Sequence, residues 1–335
     1  MSTSSESKPD KWTLRQPYSW KLLLVFLLVS AGLGVSAKRT DVARGFHLTL
    51  EALAYAVGLT DKAEVAVGWR NFMERAFPLV LSERTATSRL QDFDRNRLPP
   101  LSYLVQEPTL EYDLARGDWV ETEQQEYLVE PLGYLTHVLW KMLETLEMAM
   151  WGTLLSIVLS IPLAYFGAAG FSWNSATYTS ARALCSFCRA LPELIIAIFF
   201  VLLFGFGTLP GILALGVHCC GFLGKFFADD IENADRGPQE ALECTGANRL
   251  KVLWYAVLPQ TMPQFIAYIQ YILERNVRTA TVLGIVGAGG IGLELKGRLD
   301  LSDYAHVSTI LLVIFITVFS LEQISQRLRL TFIAG

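Results

Sequence analysis

Long apolar runs, broken by short polar connections, set the plan of this chain. Residues 1–19 are polar and rich in serine and lysine. Leu22 to Ala37 is apolar and follows Lys8, Lys11, Arg15 and Lys21. A polar stretch, 38–143, comes next. Within it, Ala63 to Leu81 places Val65, Val67, Trp69, Phe72, Met73, Phe77 and Val80 at helical spacing and predicts an amphipathic helix. Asp92 to Pro100 is charged, ends in Pro99-Pro100 and predicts a loop. The apolar runs then crowd together: Met148–Ala169, Ala190–Phe206, Ile212–Ala228, Val252–Leu273, the glycine-rich Thr279–Leu293, and Val307–Ile324. A helix of roughly 20 apolar residues crosses about 30 Å of hydrocarbon. The pattern predicts an all-α polytopic membrane protein with about six transmembrane helices. Residues 20–37 give the first transmembrane helix, 38–143 an extracytoplasmic insert, and 144–335 the membrane core.

The first run has two readings. Its basic flank and its small-residue end, Val35-Ser36-Ala37, fit a cleaved signal peptide. They also fit an anchor whose N-terminus, 1–19, is a cytoplasmic tail. Both readings put the insert outside.

Charge supports that topology. Arg182 and Arg189 in the loop 170–189, Arg236, Arg249 and Lys251 in 229–251, and Arg327 and Arg329 in the tail all fall on the cytoplasmic side, while the turn Gly207–Gly211 is outside and uncharged. Between 111 and 130 the insert is acidic: Glu111, Asp113, Asp118, Glu121, Glu123, Glu126 and Glu130 stand against Arg116. A solvated loop and a surface that meets a partner both account for it. Charged residues make up 18% of the 335 residues, against about 25% in ordinary soluble domains. No basic stripe with interleaved aromatics is present, so nucleic acid is not an expected partner.

Candidate chemistry is sparse. The chain has no P-loop motif; Gly221-Phe222-Leu223-Gly224-Lys225 is a partial echo inside a span. It has no His-Glu-x-x-His, and His47, His137, His218 and His306 are scattered, so neither a catalytic nor a metal constellation is expected. Cys185, Cys188, Cys219, Cys220 and Cys244 fall in apolar or membrane-flanking sequence and read as small hydrophobes. Gly287-Ala288-Gly289-Gly290-Ile291-Gly292 satisfies Gly-x-Gly-x-x-Gly, but membrane spans flank it where a dinucleotide fold needs a βαβ unit. Glycines there suit a broken helix lining a gate, or close helix packing. Glu274, Arg275 and Arg278 precede that run at membrane depth, where charge marks a pathway or a paired structural site. The guanidinium fork matches phosphate-like oxyanions, so Arg275 and Arg278 are candidates for a substrate path; pairing of Arg275 with Glu274 is the alternative. Glu193, His218 and Lys225 are weaker candidates of the same kind.

One polar segment between spans stands apart. Glu240, Ala241, Leu242 and Glu243 favour a short helix, and Gly246 is a natural stop. A cytoplasmic helix-turn of this kind reads as a docking element. Glu240-Ala241-Leu242, three residues, Gly246, nine residues, then Ala256-Val257-Leu258-Pro259 resembles the pattern of permease subunits of binding-protein-dependent ABC importers, which reads Glu-Ala-Ala, three residues, Gly, nine residues, Ile-x-Leu-Pro. Leu242 and Ala256 depart from it, both as apolar exchanges. Glu144–Ala149, Arg189–Leu194, the run from His218 to Lys225, and Arg278 with Thr281–Gly284 and Gly287–Gly292 are similar to the phosphonate, phosphite and hypophosphite permeases, over roughly 130–330.

That resemblance implies a type I ABC importer permease fold. It implies two permease subunits, the second a copy of this chain, in a bacterial inner (plasma) membrane. ATP and Mg would be bound by a partner ATPase dimer, with no cofactor in this chain. A periplasmic binding protein would deliver a phosphonate-type oxyanion. Glu240, Ala241, Gly246, Leu258 and Pro259 would couple to the ATPase through a helix at 236–250. Arg275, Arg278, Glu193 and His218 would lie on the substrate path, and Gly287, Gly289, Gly290 and Gly292 at the gate. The competing classes are a membrane-embedded enzyme and an ATP-independent anion transporter or channel.

Overall fold

A computed structural model describes residues 20–333, apart from 41, 59–62, 78, 91–92, 96–97 and 114–117; side chains at 38, 43, 56, 109–124 and 328–333 are also outside the description. The expected cytoplasmic tail, 1–19, lies outside the described residues.

The chain divides into two compact units, 1–74 and 75–335. In the first, α1 (Trp20–Arg39) is followed by α2 (Val42–Ala56) and by α3 (Glu64–Ala76), whose last turn crosses the boundary. Most of the apolar side chains of α1 are exposed, as on a helix solvated by lipid. The amphipathic stretch from Ala63 is helical as expected but stops at Ala76.

The second unit opens on an antiparallel sheet, a departure from an all-helical chain. Its strands β1 (Glu83–Ala86), β2 (Tyr103–Asp113) and β3 (Asp118–Glu130) pair in the order β1-β3-β2. The acidic stretch is thus mainly strand where a loop was one expectation. Adjacent residues of β3, Leu128 and Val129, are both buried, so near its C-terminal end the strand is covered on both faces. Strand β3 pairs with β1 on one side and with β2 on the other, with one irregularity between Pro108 and Leu110, so the net charge does not prevent pairing.

The helical core follows: α4 (Gly133–Gly167), α5 (Ser175–Ala190), α6 (Glu193–Phe204), α7 (Thr208–Asn233), α8 (Arg236–Cys244), α9 (Arg249–Val252), a π-helical turn Leu253–Val257, α10 (Leu258–Leu283), a second π turn Gly284–Ala288, α11 (Gly290–Asp300) and α12 (Tyr304–Ile333). Among the described residues four helices are long and apolar enough to cross a membrane. Two bent pairs, α5 with α6 at 87° and α10 with α11 at 58°, raise the number to six. Helix α4 begins 15 residues before the apolar run at Met148; its first turns bury Tyr134, Val138 and Met142 in the core and lie against α11 and α12.

Helix α4 lies along α7, and small residues set the spacing. A Cβ added at Gly152, Gly211 or Gly216 would collide with Leu215, Met148 or Leu155 respectively. Without a water-driven force inside lipid, close approach of this kind supplies the packing contacts. Two apolar cores result. One, around Met148, Leu215, Leu283 and Ile291, sits under the glycine break; the other, around Phe227, Val257 and Phe265, sits above α8.

Candidate functional site

Three of the expected residues, Arg275, His218 and Glu193, converge where α6, α7 and α10 meet. Arg275 Nη2 lies 3.0 Å from His218 Nε2, and Glu193 Oε1 is 3.5 Å from the same guanidinium. His218 Nδ1 is 3.0 Å from the Leu191 carbonyl. That carbonyl only accepts, so Nδ1 carries a proton; the guanidinium only donates, so Nε2 is bare. His218 is therefore the neutral tautomer that passes a hydrogen bond between helices. By helical rise it sits about 15 Å along α7 from Thr208, well inside the bilayer. Such a buried charge cluster is costly in lipid and persists where it is paired and used.

The pairing differs in one respect from the sequence alternative. Glu274 pairs with Arg278 at 2.9 Å, one turn along α10, while Arg275 takes Glu193 from the start of α6. Arg278 is nearly half exposed and stands apart from the Arg275 group.

Two residues outside the expected set join the cluster. The Phe222 ring carries the Arg275 guanidinium at 4.9 Å and the Arg189 guanidinium at 4.7 Å, and it packs on the His218 ring at 5.3 Å. Arg189 reads in the sequence as a loop charge, yet it is the penultimate residue of α5. The signal was the i, i+4 spacing of His218 and Phe222 on one face of α7, which a nucleotide-motif search passes over.

The glycine run breaks the span as expected. Gly287, at φ +100°, is the residue where the helix kinks, and Gly289 and Gly290 also have positive φ. The Gly207 N–H donates to the Gly287 carbonyl at 3.1 Å, tying the break to the α6–α7 turn, and Phe206 covers Gly287. Gly284 and Gly292 touch: a Cβ on Gly284 would lie 2.6 Å from the Gly292 Cα. The free N–H groups at the start of α11 are satisfied from α4, Ile291 donating to Thr145 Oγ1 at 2.8 Å and Gly290 to Glu144 Oε1 at 3.3 Å. A helix, α10, leads into the run where a dinucleotide turn needs a strand.

At the other end of α10 the expected coupling segment forms two helices. Asp235 caps α8 by accepting the Gly237 N–H at 3.1 Å. Its C-terminus closes in a Schellman motif: Gly246 N–H donates to the Glu243 carbonyl at 2.9 Å, Ala247 N–H to the Leu242 carbonyl at 3.2 Å, and Gly246 sits at φ +83°. Glu240, Ala241 and Glu243 are exposed, while Leu242 packs on the inner core. Leu258 opens α10, donating its N–H back to Leu253, and Pro259 follows it, so the turn before them widens into the π form. Gln260 then links the two elements, accepting the Asp235 N–H at 3.0 Å and donating to the Ala256 carbonyl at 2.7 Å.

The cysteines are free thiols. Cys185 and Cys188 face Gly221 and Gly224 at the α5–α7 contact, where bulk would not fit. His137 and His306 lie with Tyr134, Glu294, Arg298 and Asp303 at the other end of the core, away from His218. No group of histidine, cysteine or acidic residues with metal-holding geometry occurs among the described residues.

Comparison with known proteins fits this geometry. Residues 156–329 match the model of the binding-protein-dependent transport system inner membrane component. A Stutzerimonas stutzeri protein named for a phosphite transport system, the permease HtxE, is 48% identical over 256 residues, 76% of this chain and 98% of its own. The phosphite transport system permease protein PtxC of the same organism is 45% identical over 188 residues, 56% of this chain and 68% of its own. The phosphate-import permease protein PhnE of Mycolicibacterium smegmatis is 43% identical over 186 residues, 56% of this chain and 35% of its own. In fold, the chain is similar to the inward-facing MetNI methionine ABC transporter, with TM-score 0.52 at 21% identity over 58% of this chain and 95% of that one. Proteins of this type are transporter subunits rather than enzymes, and their ATPase is a separate chain. The chain belongs to the binding-protein-dependent transport system inner membrane components, as the multi-pass permease subunit of an ABC importer of the phosphonate and phosphite permease family.

Proposed function

We propose that this permease carries a phosphorus oxyanion of the phosphonate, phosphite or hypophosphite class into the cell across the bacterial inner membrane. Two copies of the chain form the path. An ATPase dimer, which binds ATP and Mg, docks on α8, and a periplasmic binding protein delivers the anion. The names of the relatives support the substrate class.

One observation carries the reading. The exposed α8 is tied through Gln260 to α10, and that one helix bears Arg275, Arg278 and, at its far end, the glycine break. A push on α8 therefore reaches the cationic cluster and the gate through a continuous helix. Alternating access by rocking of bundles needs such a connection. Arginine at the cluster offers the planar donor fork that oxyanions fit.

The test is uptake by proteoliposomes holding the permease with its ATPase and binding protein. Phosphite, methylphosphonate, hypophosphite and phosphate are compared, with sulfate as control. ATP-dependent uptake of at least one phosphorus oxyanion, reduced tenfold or more by Arg275→Gln and less by Arg278→Gln, is expected. Absence of uptake for all four would overturn the substrate class.

A further inference from the structure

We infer that Arg189 is a second anion-holding position, on the cytoplasmic side of the Arg275 cluster, to which the transported oxyanion passes across the face of Phe222. The inference rests on the oxyanion reading of the Arg275 cluster and extends it by one step.

Two guanidiniums share one phenyl ring, Arg275 at 4.9 Å and Arg189 at 4.7 Å from its centroid. The two charges are thus no farther apart than the sum of those distances. Their environments differ. Arg275 has Glu193 at 3.5 Å and His218 at 3.0 Å. Arg189 has no carboxylate within ion-pair distance among the described residues, and its Nε–H is buried without a hydrogen-bond partner. An unpaired buried donor on a cation is costly, so the arrangement favours an anion at Arg189. Counting Glu193, Arg275 and Arg189, with His218 neutral, the group carries one net positive charge.

Position along the path follows from α7. That helix runs inward from Thr208, so Phe222 lies about one turn, roughly 6 Å, nearer the cytoplasm than His218. Arg189 and Glu193 flank the 87° bend between α5 and α6. Rearrangement at that bend would change how much of the anion's charge each arginine meets. A phenyl ring holds a guanidinium flat while leaving its N–H edges free for two oxygens.

The experiment separates charge from packing in reconstituted complexes, reading phosphite uptake with binding-protein-stimulated ATP hydrolysis as the assembly control. Arg189→Lys should keep a third or more of wild-type uptake, and Arg189→Met should lose at least tenfold while hydrolysis persists. Equal uptake by the two would make Arg189 a brace between α5 and α7 and overturn the inference. Should Arg189→Met fail to assemble, Arg189→Cys in a Cys244→Ser background is treated after assembly. A thiol reagent that adds an ammonium group should raise uptake at least fivefold, and a neutral reagent of similar size should not; equal effects would again overturn it. Arg275→Gln distinguishes the two levels. Impaired Arg275→Gln with normal Arg189→Met refutes only the second position, whereas normal uptake by Arg275→Gln refutes the oxyanion reading beneath it.

Discussion

Asn276 donates its side-chain amide to Thr153 Oγ1 at 2.9 Å, and both residues are buried, at 1% and 4% exposure. Cys219 donates to Asn276 Oδ1 at 3.0 Å, and Thr153 donates to the Ala149 carbonyl at 2.7 Å. One amide therefore joins α4, α7 and α10, immediately after Arg275 in the chain. Hydrogen bonds between helices in membranes contribute about 0.6 kcal/mol on average and up to about 1.7. Asn276→Ala loses that and leaves a small cavity, so a loss of about 1–3 kcal/mol is expected, with Thr153→Val costing less than half as much. Thermal unfolding of the purified complex measures both. A double variant that is the plain sum of the singles would show that the two side chains do not act as a pair.

The glycine break predicts a sharp contrast within one helix. At Gly292 an added Cβ would run into the Thr281 carbonyl and the Gly284 backbone, whereas at Gly297 nothing lies within 4 Å. Gly292→Ala must push α11 away from α10 and should abolish transport or assembly. Gly297→Ala, in the interior of α11, should stabilise by a few tenths to about 1 kcal/mol through helix propensity. Expression level and uptake of the two variants side by side check the claim. Similar behaviour would refute the close contact of Gly284 with Gly292.

The loop between α11 and α12 holds a carboxylate that tests pH dependence. Burial alone would raise Asp303, but contact with His306, 2.6 Å away, and the charge of Arg298 outweigh it and hold the carboxyl below the usual range. A group depressed on folding stabilises above its unfolded pKa, and that contribution is lost as pH falls through the folded value. Asp303→Asn should therefore lower the unfolding temperature at pH 7, with the difference from wild type shrinking as the pH falls below about 4, the ordinary carboxylate range. A gap of constant size from pH 7 down to pH 3 would rule out ionisation as its source.

Spans, the short helix that ends at Gly246 and the break in the glycine run were legible because each has a local signal. Hydrophobic runs of membrane length, the Glu240…Gly246…Pro259 spacing and clustered glycines are properties of neighbouring residues. The partners of charges were not legible, because they depend on helices far apart in the chain. Glu274 is next to Arg275 in sequence, yet helical geometry points it one turn on, to Arg278, and brings Glu193 to Arg275 from another span. Arg189 looked like a loop charge because the α5–α6 bend is marked only by Leu191-Pro192. The sheet was hidden by acidic residues, which depress strand propensity without preventing pairing between β2 and β3.

The proposed coupling helix permits a test in which sterics play no part. A Cβ on Gly246 meets nothing within 4 Å, but the residue sits at φ +83° to close the Schellman motif. Alanine there costs about 1–2 kcal/mol through backbone conformation alone, while asparagine, which visits the left-handed region more readily, costs less. About 1 kcal/mol is roughly fivefold in the population of the closed turn. The turn sets how α8 hands over to α9 and the π turn, and on the proposed coupling role it also sets how motion reaches Gln260 and α10. Gly246→Ala should therefore lower substrate carried per ATP hydrolysed about fivefold, with Gly246→Asn between it and wild type. Parallel measurement of uptake and hydrolysis in proteoliposomes gives the ratio. Equal ratios for all three proteins would show that the left-handed turn is not what transmits the ATPase motion.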